Sequence, residues 1–352
     1  MIRWPRLFLL LALLASPWAL YPAWQYYHRP PPPPAAPAPK PAAPRPFTIT
    51  VVGDLLLAAR VAPLAAREPG FLFAGLDLLL RQDDLTIGNL ECAVATSGRP
   101  EVKEFTFRAR PPALRQLTAG GVDAVSLANN HSQDYGHEAL VETFGHLHAA
   151  GIPWAGAGRD ADAAYRPQVL QVRGRKVALL AASRVLPSGT WYAEPGHPGL
   201  AQVYEPTRLL AEVRRVRPQV DIVLVYLHWG IERMPVPFQW QRNLAKRLIE
   251  AGADAILGSH PHVLQGFEIY RGKPIAYSLG NFVFTDRNKP TVALQLTFGD
   301  RVSARAIPCR ILNCRPHLVR DARGKQAIWR SLQAASYGVR LDGEGRILPA
   351  KR

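Results

Sequence analysis

Residues 254–263 read DAILGSHPHV. A short apolar run, long enough for one buried strand, stops at Ser259 and gives way to two histidines around a proline. A strand followed at once by chemically active side chains fits an α/β sheet, in which ligand sites form at the carboxyl ends of the strands. The rest of the chain is read outward from that strand end.

Seven further segments read as strands: 47–54, 84–91, 122–129, 175–183, 220–229, 273–282 and 291–298. Between them, helices are expected over 75–82, 111–121, 137–151, 207–217 and 238–252. Pro111 suits a first helical turn, and Leu140, Phe144 and Leu147 recur at helical spacing. Alternation of this kind indicates sheets covered by helices. One domain is expected over 47–300. Residues 301–352 look less regular, a strand or two and then a tail, and carry 12 Lys/Arg against 3 Asp/Glu. That basic C-terminal extension supplies much of the formal charge of +16, which suits an acidic partner.

The amino-terminal end points to export. Arg3 and Arg6 precede an uncharged stretch from Leu7 to Tyr27, followed closely by ten prolines within residues 30–46. A helix over that uncharged stretch would span about one bilayer core, roughly 30 Å. Trp18, Tyr21, Trp24, Tyr26 and Tyr27 crowd its far end, as interfacial aromatics do. We expect an uncleaved signal-anchor over 1–28, a semi-rigid proline-rich linker over 29–46, and the remainder outside the cytoplasm. Secretion after cleavage is the alternative. Three cysteines, Cys92, Cys309 and Cys314, exclude a complete disulfide framework; Cys309 and Cys314 are the pair able to join in an oxidising compartment. Cys92 reads as a small buried hydrophobe.

The strand ends carry the chemistry. They offer Asp54 after Gly53; Asn89 and Glu91; Asn129, Asn130 and His131; His228 with Glu232 close behind; His260 and His262; Ser278 and Asn281. One such coincidence means little, since a lone His228 is more often a core residue, a lone Asp54 a cap, and a lone Asn129 a turn. Six together suggest one site. Side chains two apart on an extended chain point the same way, which pairs Asn89 with Glu91 and His260 with His262, the latter restrained by Pro261. Imidazole and carboxylate donors suit zinc, iron or manganese, and there are enough for one or two divalent ions sharing a carboxylate.

Assembled in order, GDLLLA (53–58), GNLECAV (88–94), SLANNHSQDYG (126–136), LHWGIE (227–232), the run 241–263 and YSLGNFVF (277–284) resemble the CapA family of bacterial poly-gamma-glutamate capsule biosynthesis proteins. That family is similar to the calcineurin-like metallophosphoesterases. The resemblance implies a metallophosphoesterase-like β-sandwich of two mixed sheets flanked by helices. It implies Asp54 on a first metal, Asn130 and His228 on a second, His260 and His262 divided between them, Glu91 bridging, and His131 as general acid. Asn89, Asn129, Glu232, Ser278 and Asn281 would line the site. The chain departs from the phosphoesterase pattern at Leu56, where a histidine ligand is usual, and at Asn89, where the bridging Asp is usual.

The function expected is capsule or poly-gamma-glutamate biosynthesis by a membrane-anchored protein with a metal-dependent hydrolase-like site. Its partners would be the anionic polymer, the membrane and polymer synthetase subunits, with no nucleic acid. The alternatives are a non-catalytic polymer-binding or export component and a secreted metallophosphoesterase.

Overall fold

The period-two alternation of apolar residues decides how the strands face, and in the computed structural model, which describes residues 46–350, it builds two large sheets packed face to face, beside two small two-stranded ones. In chain order the elements are β1 (Phe47–Leu55), β2 (Leu85–Leu90), β3 (Ala124–Ser126), α1 (Gly136–Ala149), β4 (Trp154–Ala155), β5 (Gln168–Val172), β6 (Arg175–Ser183), α2 (Thr207–Val216) and β7 (Ile222–His228). There follow α3 (Gln239–Ala251), β8 (Ala255–Ser259), β9 (Phe267–Tyr270), β10 (Lys273–Ala276), β11 (Asn281–Val283), β12 (Asn288–Phe298), β13 (Val302–Leu312), β14 (Arg315–Leu318), α4 (Ala322–Ala334), β15 (Val339–Leu341) and β16 (Arg346–Pro349).

The first sheet has ten strands, ordered β15-β16-β13-β12-β1-β2-β3-β4, with β11 also on β1 and β14 on β13. The second has six, ordered β9-β10-β8-β7-β6-β5. Both are mixed. β1, β2, β3 and β4 run parallel in one, and β6, β7, β8 and β10 in the other, with antiparallel strands beyond them. Parallel centres need cover on both faces. Ile49, Val51, Ile87, Leu179, Leu224, Tyr226 and Leu257 fill the space between the sheets. Val52, Leu90 and Val125 pack outward with Leu140, Phe144 and Leu147 of α1. Val223, Val225 and Leu227 pack outward with residues of α2 and α3.

Three expectations need correcting. The single strand read over 273–282 is two strands in different sheets: β10 pairs β8, and β11 pairs β1. The chain crosses between sheets over 277–280, turning at Gly280 with φ 65°. Residues 301–350 are no tail after a strand or two. β13 pairs with β12 along its whole length, and α4 inserts Ile328 and Leu332 into the core between the sheets. A strand of that length reads poorly in sequence because Arg305 and Arg310 alternate outward with buried Ala304, Ala306, Cys309 and Ile311. Thirdly, Cys309 and Cys314 are both free thiols, as is Cys92, and all three are buried. The segments expected as signal-anchor and linker lie outside the described residues, apart from Pro46. Among the described residues no helix is long and apolar enough to cross a membrane.

Candidate metal centre

A bulge places the first carboxylate. Along β1, Ile49 and Val51 face the inter-sheet core, while Val52 and Leu55 face the helix side. Strict alternation would send Asp54 to the helix side with Val52. Between Val51 and Asp54, however, β1 advances three residues while β2 advances two, from Ile87 to Asn89. The extra residue turns Asp54 onto the face that carries Asn89, as bulges beside functional sites do. Gly53 is required in it: a Cβ there would lie 1.8 Å from the Gly280 carbonyl oxygen, which accepts the Asp54 N–H at 3.0 Å.

Asn89 then ties the first sheet's donors together. Its Nδ2 donates to Asp54 Oδ1 at 2.9 Å and to Glu91 Oε2 at 3.2 Å. Asn129 holds Asn89 in turn, donating to Asn89 Oδ1 at 3.0 Å and to the Leu90 carbonyl at 2.8 Å. The outward oxygens, Asp54 Oδ2 and Glu91 Oε1, are buried without any hydrogen-bond partner.

The second sheet supplies the nitrogens. On β7 the even residues Ile222, Leu224 and Tyr226 face the first sheet, so His228 does too, while Trp229 joins the helix-side core. His228 Nε2 lies 2.8 Å from Asn130 Oδ1 and 3.1 Å from His260 Nδ1, and its Nδ1 lies 3.0 Å from Ser259 Oγ. His260 and His262 do not converge by extended geometry as expected. Their φ angles are 95° and 57°, left-handed at both, and this tight turn rather than alternation aims the rings inward. Such backbone costs about 1–3 kcal/mol per residue and concentrates at functional sites. His262 Nδ1 is 3.5 Å from Asp54 Oδ2, and its Nε2 is 3.7 Å from Glu91 Oε1, so the ring stands before both orphaned oxygens. Asn281, brought beside Asp54 by the β11–β1 pairing, fixes it with Oδ1 at 2.7 Å from His262 Nδ1.

Two donor groups result: Asp54, Glu91 and His228, all buried, and Glu232, His260 and His262. Within each group the ligating atoms lie within 4.8 Å of one another. Burial, then the Asp54 charge, pushes the Glu91 carboxyl well above its ordinary range. Burial would raise Asp54 as well, but its contacts with His262, then the His228 charge, hold it low. Burial and then His260 hold His228 well below the ordinary imidazole value, and burial followed by the His262 charge lowers His260 to about 3. Burial opposes a charge on His262, yet Asp54 and Asn281 keep its value raised. Two buried carboxylates this close need a proton or a cation between them, and neutral imidazoles are the ligating form. Unpartnered buried oxygens facing imidazole nitrogens fit a divalent ion.

Beside these groups stands a separate pair. His131 Nδ1 lies 2.7 Å from Asp134 Oδ2, and Lys103 Nζ donates to Asp134 Oδ1 at 2.7 Å and to the Asn130 carbonyl at 2.5 Å. The Phe107 ring covers His131 at 4.5 Å between centroids, and its N–H donates to Asp134 Oδ2 at 2.6 Å. Burial lowers the His131 value, against the opposing pull of Asp134.

The fold thus gathers Asp54, Asn89, Glu91, Asn129, Asn130, His131, His228, Glu232, His260, His262 and Asn281 at one edge. Ser278 braces the chain instead, its Oγ donating to the Val263 carbonyl at 2.8 Å and accepting the Gly280 N–H at 3.1 Å. Glu232, expected only to line the site, sits with the ligand pair His260 and His262. Sequence reading missed Asp134 and Lys103. Asp134 was within reach, three residues after His131 on the same loop. Lys103 arrives from a distant loop and leaves no local sign.

Residues 48–286 match the family model described as "Bacterial capsule synthesis protein PGA_cap". The chain belongs to this family. Every residue of the candidate centre falls inside the matched span. As a PGA_cap member it is similar to "Capsule biosynthesis protein CapA" of Bacillus anthracis, at 30% identity over 81% of this chain and 72% of that one. It is similar to "PGA biosynthesis protein CapA" of Bacillus subtilis (strain 168), at 31% over 68% of this chain and 63% of that one. A "Probable polyglutamine synthesis accessory protein" of Mycobacterium tuberculosis aligns at 32% identity over 57% of this chain and 55% of its own. For the latter two, the chain spans less than two thirds of the relative's length.

Proposed function

We propose that the protein acts in capsule or poly-gamma-glutamate synthesis, with a metal-dependent hydrolase-like site that works on an anionic extracellular polymer. The observation carrying this reading is the pair of buried, unpartnered oxygens on Asp54 and Glu91, facing His262 and close to His228. Asp54, Glu91 and His228 would hold one divalent ion, and Glu232, His260 and His262 a second, with Asn130 beside His228 as an added donor. When bound, such ions activate water and offset the negative charge that builds up in hydrolysis.

The chain's own residues supply the rest. Asp134 fixes His131 through Nδ1, which leaves Nε2 as the nitrogen that gives or takes a proton at the reacting oxygen. Lys103 locks Asp134, and Phe107 keeps water off one face of the ring. An anionic substrate next to the imidazole raises its value again and favours the protonated, acid form.

The membrane would be reached through residues 1–28, and polymer synthetase subunits would be partners. A second reading, gripping polymer without turnover, draws on Leu56: a buried hydrocarbon stands at the position where the phosphoesterase pattern has a ligand. Metal analysis of the purified protein separates these readings from a bare scaffold. We expect one to two equivalents of Mn, Fe or Zn, lost in Asp54→Ala and His262→Ala together with polymer production in cells. Metal-free protein whose variants still support production would sink the proposal. Normal production in a His131→Ala strain would favour grip over catalysis.

A further inference from the structure

Arg184 follows the last residue of β6, at the same sheet edge as His228, and its N–H donates to the His228 carbonyl at 2.8 Å. Its guanidinium carbon lies 4.3 Å from the centroid of the Trp240 ring and 5.8 Å from that of Tyr204. Among the described residues no side chain or carbonyl accepts a hydrogen bond from it. Other partly buried arginines have acceptors: Arg217 meets Asp254, Arg242 meets Glu268, Arg310 donates to Asn288 Oδ1 and Arg315 to the Phe71 carbonyl. A guanidinium has five donors in a rigid fork and no acceptor, so a partly buried one without an anion has unused binding capacity.

The aromatic walls are themselves fixed. Trp240 meets Trp229 edge-on at 6.0 Å, and Trp229 donates from Nε1 to the Tyr277 carbonyl at 2.8 Å. Tyr204 accepts the Leu186 N–H through its hydroxyl at 3.1 Å and lies 6.0 Å from the Tyr192 ring. From Tyr192 the chain passes to the buried Trp191, whose carbonyl accepts Gln133 Nε2 at 2.8 Å and whose ring lies 5.2 Å from Lys103 Nζ. A chain of contacts running through the buried Trp191 therefore links the His131–Asp134 pair to Arg184.

We infer that Arg184, walled by Trp240 and Tyr204, is a carboxylate-binding subsite for the polymer chain at the sheet edge that carries the metal centre. The chemistry is that of a planar fork held in place by stacking, which matches a carboxylate in bidentate fashion. A polymer with a carboxylate on every residue would engage Arg184 with one unit while another unit enters the metal centre. This rests on the proposed function, since it names how the same site recognises its polyanion.

The test is equilibrium binding of labelled poly-gamma-glutamate to the full-length protein, with polyphosphate as a parallel probe, for wild type, Arg184→Gln and Arg184→Lys. Loss of one charge-assisted contact should weaken poly-gamma-glutamate binding by about tenfold or more in Arg184→Gln. The loss in Arg184→Lys should be intermediate. Metal content should stay at the wild-type value, because the guanidinium touches no donor of the centre, and the melting temperature should fall by no more than the loss of the two cation–π contacts allows. Equal binding by wild type and Arg184→Gln would overturn the subsite and leave the proposed function standing. A wild type that binds polyphosphate through Arg184 but not poly-gamma-glutamate would overturn the carboxylate assignment. A wild type that binds neither would overturn the subsite and the polymer reading together.

Discussion

The hydroxyl of Tyr226 on β7 donates to the carbonyl of Val52 on β1 at 2.8 Å, crossing from one sheet to the bulge in the other. It meets a carbonyl that lies within the bulge, and in doing so it pins the segment that presents Asp54 to the layer that presents His228. Tyr226→Phe keeps the ring and removes only this bond. A buried acceptor left without a donor costs about 1–3 kcal/mol. Denaturant unfolding should show a loss of that size. Metal affinity should fall as well, because Asp54 is no longer held in register with His228. Unchanged affinity would mean that β2 alone fixes the bulge.

Glu91→Gln should separate stability from binding. In the absence of metal, burial and the neighbouring Asp54 keep Glu91 in its protonated form, and taking up that proton at neutral pH costs folding energy; the neutral amide avoids this cost and raises the stability of the metal-free protein by about 1 kcal/mol. The same change removes a donor from the centre. The expected result is a higher melting temperature than wild type after chelation, and a smaller rise on adding Mn or Zn. A variant less stable than wild type under chelation would show that Glu91 serves packing instead.

The His131–Asp134 pair should act on turnover and not on metal content. If the site is catalytic, His131→Asn lowers the rate by about 100- to 10,000-fold, the range of a positioned proton-transfer group. Asp134→Asn should give part of that loss by freeing the ring to rotate. Lys103→Met should resemble Asp134→Asn, since the ammonium holds Asp134. Metal measured in all three should equal wild type.

Away from the centre, Glu268 ties the second sheet to α3. Arg242 Nε and Lys246 Nζ lie at 3.0 and 2.9 Å from its oxygens, and the Tyr277 hydroxyl donates at 2.8 Å. Burial would raise its value, but the hydrogen bonds from Arg242, Lys246 and Tyr277 hold it below the ordinary carboxylate range. A carboxyl lowered on folding adds stability above its unfolded value, and that stability is lost as the pH falls through the folded one. Glu268→Gln should therefore cost about 2 kcal/mol at neutral pH. The gap from wild type should narrow steadily in unfolding curves taken below the ordinary glutamate value. A constant gap across acid pH would assign the loss to packing.

Much of this was legible in the sequence for a local reason. The strands of the parallel centres alternate or run apolar, and their polar ends stand out because nothing else interrupts so apolar a run. Asp54, Glu91, His131, His228, His260 and His262 were found in that way. The strand β13 was not, because its outward arginines make an edge-side pattern that resembles a solvated tail. The break at 277–280 was missed because its residues are as buried as those of the strands on either side.

The sequence by itself determined the α/β class, the strands β1, β2, β3, β6, β7 and β8 with the helices α1, α2 and α3 among them, and the edge at which chemistry gathers. Those follow from side-chain period and polarity, which are properties of neighbours in the chain. Tertiary structure decided which way the decisive side chains point. The register shift after Val51 exists only as a pairing with β2, and the left-handed turns at His260 and His262 are held by contacts to other strands. Lys103 reaches Asp134, and Arg184 its aromatic walls, across separations that no local pattern encodes. Pairing and packing are non-local, and they turned a set of polar strand ends into two donor groups with a hydrogen-bonded His131–Asp134 pair beside them.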